Sequence, residues 1–83
     1  MKNKPSREEQ QSVSKLAHDF LASIYVEKEA RHMTYEDLAV HIGVSPQRIS
    51  QIFSECGNLT LRTLVTWAAA VGMEPVITLQ PKK

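Results

Sequence analysis

The residues best suited to do chemistry are Gln47, Ser50, Gln51 and Ser54, which recur at three- and four-residue intervals with Arg48 at their edge. On a helix this spacing gathers them on one face, while Ile49, Ile52 and Phe53 gather on the opposite one. The chemistry available to such a face is hydrogen bonding without bond making. A helix is thin enough to enter the DNA major groove, and a glutamine amide can pair with both N6 and N7 of adenine. An arbitrary surface helix carries a similar stripe merely to stay solvated, so the surroundings of these residues decide between the two readings. Catalysis finds little support, because the chain has no glycine-rich phosphate loop, no paired carboxylates in a credible cleft and no nucleophile with a base at usable spacing.

The elements around this face read as two short helices joined by a tight turn, spanning Thr34 to Ser54 (TYEDLAVHIGVSPQRISQIFS). Thr34 and Asp37 form a capping box that opens the first helix. Leu38, Ala39 and Ile42 are its buried stripe. Gly43 stands where the helix must stop, since glycine enters the left-handed region without steric cost. Val44 is expected to plug the corner, Ser45 to cap the second helix, and Pro46 to preset its first turn. The apolar positions fall where two helices crossing at roughly 90–120° need them. This arrangement favours a DNA-binding helix-turn-helix over a purely structural helix pair.

The remaining chain supplies supports for that motif. Val13, Leu16, Ala17, Phe20, Leu21, Ile24 and Tyr25 form a continuous helical stripe, which predicts a first and longest helix whose charged end, VEKEARH, projects into solvent. Glu27 and Arg31 there are spaced for an i, i+4 pair. After the loop SECGNLT, Thr60 can cap a further helix with Leu61, Leu64, Val65, Ala68 and Val71 buried, Trp67 and Ala69 broadening the stripe, and Gly72 ending it. Trp67 is expected in the core. Val76, Ile77, Thr78 and Leu79, between Pro75 and Pro81, have the composition and length of a strand. A lone strand cannot satisfy its own backbone, so its partner should be the same strand of a twofold-related copy. These four residues are therefore the expected dimer interface.

Eighty-three residues bound one small domain, of a size that oligomerisation often helps. The net charge is +1, and it is unevenly placed: residues 8–81 carry five basic and nine acidic side chains, leaving the basic excess in the tails. That is a mild objection to nucleic-acid binding. The single cysteine, Cys56, forms no intramolecular disulfide and has no companions for zinc; it is read as a turn residue in a reducing compartment. His18, His32 and His41 lack metal-ligand spacing. No apolar run approaches a membrane span and no signal peptide is indicated, so a cytoplasmic location is expected and no membrane partner.

Met33 to Gly72, and above all EDLAVHIGVSPQRISQIFSECGNLTLRTLVTWAAAVG, resembles the phage-repressor-like helix-turn-helix proteins of the Cro or XRE family. A helix followed by a C-terminal strand is similar to the antitoxin branch of that family, the relatives of HipB and HigA, in which the strand pairs across the dimer in HipB-like members. The resemblance implies a mainly α fold: a lambda-repressor-like bundle of four to five helices with one C-terminal β-strand paired across a dimer. Read together with the composition of the two ends, the organisation expected is a flexible basic arm over residues 1–11, a DNA-binding domain over 12–73 and a dimerising tail over 74–83. The resemblance further implies base contacts from Ser45, Pro46, Gln47, Ser50 and Gln51, and phosphate contacts from Thr34, Tyr35, Arg48 at the flank, and Asn58 in the loop. Arg62 has the wrong sign for the helix dipole in its first turn, which makes it either a phosphate contact or an ordinary exposed arginine. Two departures stand out: Pro46 replaces a polar base-reading side chain, and Glu55 and Cys56 replace the usual loop cation.

Two functions of different kinds follow. One is a homodimeric transcriptional repressor reading a palindromic operator in double-stranded DNA through residues 45–54. The alternative is an antitoxin that neutralises a protein toxin and autoregulates its operon, for which the C-terminal strand and weak basicity speak. Neither requires a cofactor. RNA reading is less suited, because the few aromatics form no stacking platform.

Overall fold

The computed structural model describes residues 6–55 and 59–82, in which four helices follow one another: α1 (Arg7–Ala30), α2 (Tyr35–Ile42), α3 (Pro46–Glu55) and α4 (Leu61–Ala70). Each start is marked by a local hydrogen bond that the sequence encodes. At α1, the Ser6 hydroxyl accepts from the Glu9 N–H and the Glu9 carboxylate accepts from the Ser6 N–H, both at 3.0 Å. The helix therefore begins at Arg7, within the stretch read as a flexible arm over 1–11. A capping box satisfies two orphan donors whether or not the following turn is apolar, and here it extends the helix ahead of the hydrophobic stripe. The lysines of the arm, Lys2 and Lys4, lie outside the described residues.

The core is one cluster drawn from all four helices: Leu21 and Ile24 of α1, Leu38 and Ala39 of α2, Ile49 of α3, and Trp67 of α4 with Val71 just past its end. Leu38, Ile49 and Val71 are completely enclosed. Removing side chains of this size from water contributes about 1.5–3 kcal/mol each, which is what holds short helices that would not persist alone. α2 lies at the centre, packed against both α3 and α4, and α4 also meets α1.

Parts of both long apolar stripes lie outside the core. Val13, Leu16 and Tyr25 of α1, and Leu61 and Val65 of α4, are exposed, Leu16 to 70% and Leu61 to 67%. Helical spacing identifies a stripe but not how much of its width a neighbour covers, and the other helices cover only the sector around Ala17, Leu21 and Ile24. Val44, expected to plug the corner, is also exposed. Residues 73–82 form neither helix nor strand, so the predicted strand Val76–Leu79 is not an element of the single chain. Among the described residues no other extended segment exists to complete a ladder with it.

The end of α1 also departs from expectation. Glu27 and Arg31 form the anticipated ion pair. Lys28, by contrast, is buried within the segment read as solvent-facing. The chain then turns through His32, the one non-glycine residue with positive φ (58°) among those described, while Met33 N–H donates to the Lys28 carbonyl at 2.9 Å. A left-handed conformation costs an L-residue roughly 1–2 kcal/mol, partly offset in a glycine variant by its freer unfolded chain. His32→Gly is expected to stabilise the fold by about 0.5–1 kcal/mol in urea unfolding. A loss of stability instead would mean that the imidazole makes a contact worth more than the strain.

Candidate nucleic-acid interface

The turn between α2 and α3 is built as its residues require. The Thr34 hydroxyl accepts from Asp37 N–H at 3.1 Å and the Asp37 carboxylate accepts from Thr34 N–H at 2.9 Å. Gly43 has φ 91°, the left-handed conformation expected at this helix end, and its N–H donates to the Ala39 carbonyl at 2.7 Å. Ser45 caps α3, its hydroxyl accepting from the Arg48 N–H at 3.1 Å.

α3 is anchored by Ile49, fully enclosed, with Ile52 and Phe53 packed against the core. Its other side is entirely exposed: Pro46, Gln47, Arg48, Ser50, Gln51 and Ser54. Ser45, preceding the helix, is exposed as well. The five residues expected to meet bases thus share one accessible surface at the start and outer face of α3. Arg48 lies beside Gln51, its Nη1 donating to Gln51 Oε1 at 3.0 Å.

The residues expected to meet phosphate are more scattered. Thr34 is exposed, and its hydroxyl, having accepted the capping bond, keeps a hydrogen to donate. Tyr35 is half-buried, with its ring stacked on Phe53 at 5.4 Å and 8°. Arg62 is exposed in the first turn of α4. Asn58 lies outside the described residues, as do Cys56 and Gly57. Over α2 and α3 together Arg48 is the sole lysine or arginine, against Glu36, Asp37 and Glu55. These two helices therefore offer no long-range attraction to a polyanion, and what their outer face presents is short-range hydrogen-bonding capacity.

A set of contacts behind the interface did not emerge from periodicity. Phe53 of α3 meets Tyr35 at the start of α2, Tyr25 of α1 at 6.2 Å and Trp67 of α4 at 5.5 Å. The buried Lys28 ammonium sits 4.8 Å from the Tyr25 ring centre and 5.2 Å from that of Tyr35, within cation–π range. It also donates to Glu29 at 2.8 Å, and that hydrogen bond together with its charge holds the Glu29 carboxyl below the usual carboxylate range. These rings tie the outer end of α3 to the other three helices, so the angle of the exposed face is set by aromatic packing. The Tyr25-to-Lys28 spacing, one helical turn, was the signal available for it.

An anchored second helix with an uncharged polar outer face, after a glycine turn, is the arrangement of a helix-turn-helix. A family model described as Helix-turn-helix matches residues 25–77, which is 53 of the 83 residues. The chain belongs to the Cro/XRE helix-turn-helix family. Its match covers α2, α3 and α4 and begins in the last turns of α1 at Tyr25, the first residue of the aromatic set. The family is one of DNA-binding transcription regulators. Comparison with curated proteins and with solved structures found no match. No helix among the described residues is long and apolar enough to cross a membrane, and no three His, Cys, Asp or Glu side chains among them converge on a metal-sized site.

Proposed function

We propose that the protein is a transcriptional repressor that reads a twofold-symmetric operator as a homodimer, with α3 in the major groove. The observation that carries this reading is the outer face of α3, where Gln47, Ser50 and Gln51 are all exposed on a helix anchored by the enclosed Ile49. Polar side chains presented by a fixed backbone are what base readout needs, because each misplaced donor or acceptor loses its discrimination. Thr34, Tyr35 and Arg62 would then contact the sugar–phosphate backbone and set the register.

The homodimer accounts for apolar surface that the single chain leaves open. Val76, Ile77 and Leu79 are exposed after the last helix, and Val13 and Leu16 are exposed on the first. Pairing residues 76–79 with the same residues of a second copy would supply the missing ladder partners and cover part of this surface. Two recognition helices would then lie about one DNA turn apart, roughly 34 Å. Such a protein works in the cytoplasm, where its DNA is.

Selection of bound duplexes from a randomised pool at near-physiological ionic strength tests the function directly. Enrichment of an inverted repeat with half-sites about ten base pairs apart is the expected result. Recovery of an unchanged pool, at protein concentrations where nonspecific binding is saturated, would remove sequence-specific reading by the free chain. The antitoxin reading draws on the same exposed tail and on the weak overall basicity of the chain, whose net charge is only +1. Its mark would be a second small protein co-purifying in fixed stoichiometry from the native host, and consistent recovery of the chain alone would dismiss it.

A further inference from the structure

We infer that Arg48 is a base-reading residue, and that Arg48 and Gln51 act as one unit selecting guanine over adenine. This rests on the DNA-reading role of α3 and revises two expectations: the phosphate contact that the resemblance implies for Arg48, and the adenine pairing that the amide chemistry of Gln51 allows.

Arg48 Nη1 donates to Gln51 Oε1 at 3.0 Å, three residues apart on the exposed side of α3. A guanidinium has five donors and no acceptor, so the amide atom turned towards it has to be the oxygen. The orientation of the Gln51 amide is thereby decided, with its NH₂ directed away from Arg48. Adenine's major-groove edge offers one acceptor, N7, and one donor, the N6 amino group; guanine's offers two acceptors, N7 and O6. Gln51 could still accept from adenine through its second oxygen lone pair. The adenine amino hydrogens would then approach beside a full positive charge, which repels them. Guanine meets instead a surface of donors, from the Gln51 NH₂ and the remaining guanidinium N–H groups, next to a cation that favours its two acceptors.

Two further observations are consistent with this placing of Arg48. Its backbone N–H is bound by the Ser45 hydroxyl at 3.1 Å, in the first turn of α3, from which a helix end enters the groove. It forms no ion pair among the described residues, so no carboxylate there draws the guanidinium away from Gln51.

The test compares duplex selections by the parent, Gln51→Ala and Arg48→Met, all at one salt concentration, with thermal unfolding of each to confirm the exposed substitutions leave the fold intact. The half-site position whose preference changes in Gln51→Ala identifies the base read by the pair. At that position the parent should take guanine, and Arg48→Met should move the preference to adenine, a swing of roughly tenfold or more. Adenine at that position in the parent, or an Arg48→Met protein that binds every duplex more weakly with unchanged base preference, would overturn the inference and return Arg48 to phosphate. In both of those cases the parent still selects an operator, so the DNA-reading function survives. A parent that enriches no sequence removes the inference and the function together.

Discussion

Trp67→Ala is expected to destabilise the fold by about 3–5 kcal/mol, a large share of its total stability. Trp67 is 2% exposed on α4 and lies in the cluster that joins all four helices. Its ring meets Phe53 edge-on at 5.5 Å, and Phe53 in turn stacks on Tyr35. Truncating a buried Trp or Phe costs about 3–5 kcal/mol, partly from lost transfer energy and partly from the cavity left behind. A domain of this length has a total stability of about 4–12 kcal/mol. The substitution therefore removes from about a quarter to all of it, and where folding persists the melting temperature should fall by roughly 12–40 °C. Urea unfolding followed by far-ultraviolet circular dichroism measures this. A cost under about 1 kcal/mol would mean that the indole is an ordinary surface group and that the aromatic set does not hold α3. Because Phe53 is on α3, DNA binding by any folded fraction should fall as well, without a change in salt dependence, since no phosphate contact is removed.

Replacing Ile77 and Leu79 together by aspartate should lower operator affinity by roughly 10²–10⁴-fold, the gain that simultaneous engagement of two half-sites supplies. The single chain predicts little else. Ile77 is 66% exposed and Leu79 97%, so the charges meet water rather than core, and melting of the isolated chain should change only slightly. Across a paired dimer the four new carboxylates would face one another and oppose association. Sedimentation velocity of parent and variant, read with operator titrations, separates the outcomes. A parent that remains monomeric at concentrations saturating the operator, or a variant that dimerises as the parent does, would place the dimer interface somewhere other than residues 76–79.

Much of the candidate site was legible because its signals are local. The Thr34 and Asp37 capping box, the left-handed Gly43 and the Ser45 cap each concern residues within three or four positions of one another, and each occurs as the sequence implies. The same holds for the division of α3 into an apolar face around Ile49 and a polar face around Gln47 and Gln51, since helical geometry alone sorts side chains by spacing. The errors share a different origin. Leu16 and Leu61 belong to apolar stripes yet are exposed, because the width of a stripe that is covered depends on the neighbours, and neighbours are set by the whole chain. The charge of Lys28 implies a solvated side chain, but the rings of Tyr25 and Tyr35 offer its ammonium a favourable face and its aliphatic stem an apolar bed.

The amino-acid sequence by itself determined where the helices of the motif begin and end and which side of α3 is presented, since caps, turns and periodicity act over one or two helical turns. The tertiary structure alone decided which apolar residues form the core, that Lys28 is enclosed, and that aromatic packing between Tyr35, Phe53 and Trp67 joins α3 to its neighbours, while the turn of Arg48 towards Gln51 is a local choice of rotamer. Burial and ring packing depend on contacts between residues distant in the chain. The choice between neighbouring side-chain partners on one helix face depends on rotamers, and neither is written in spacing.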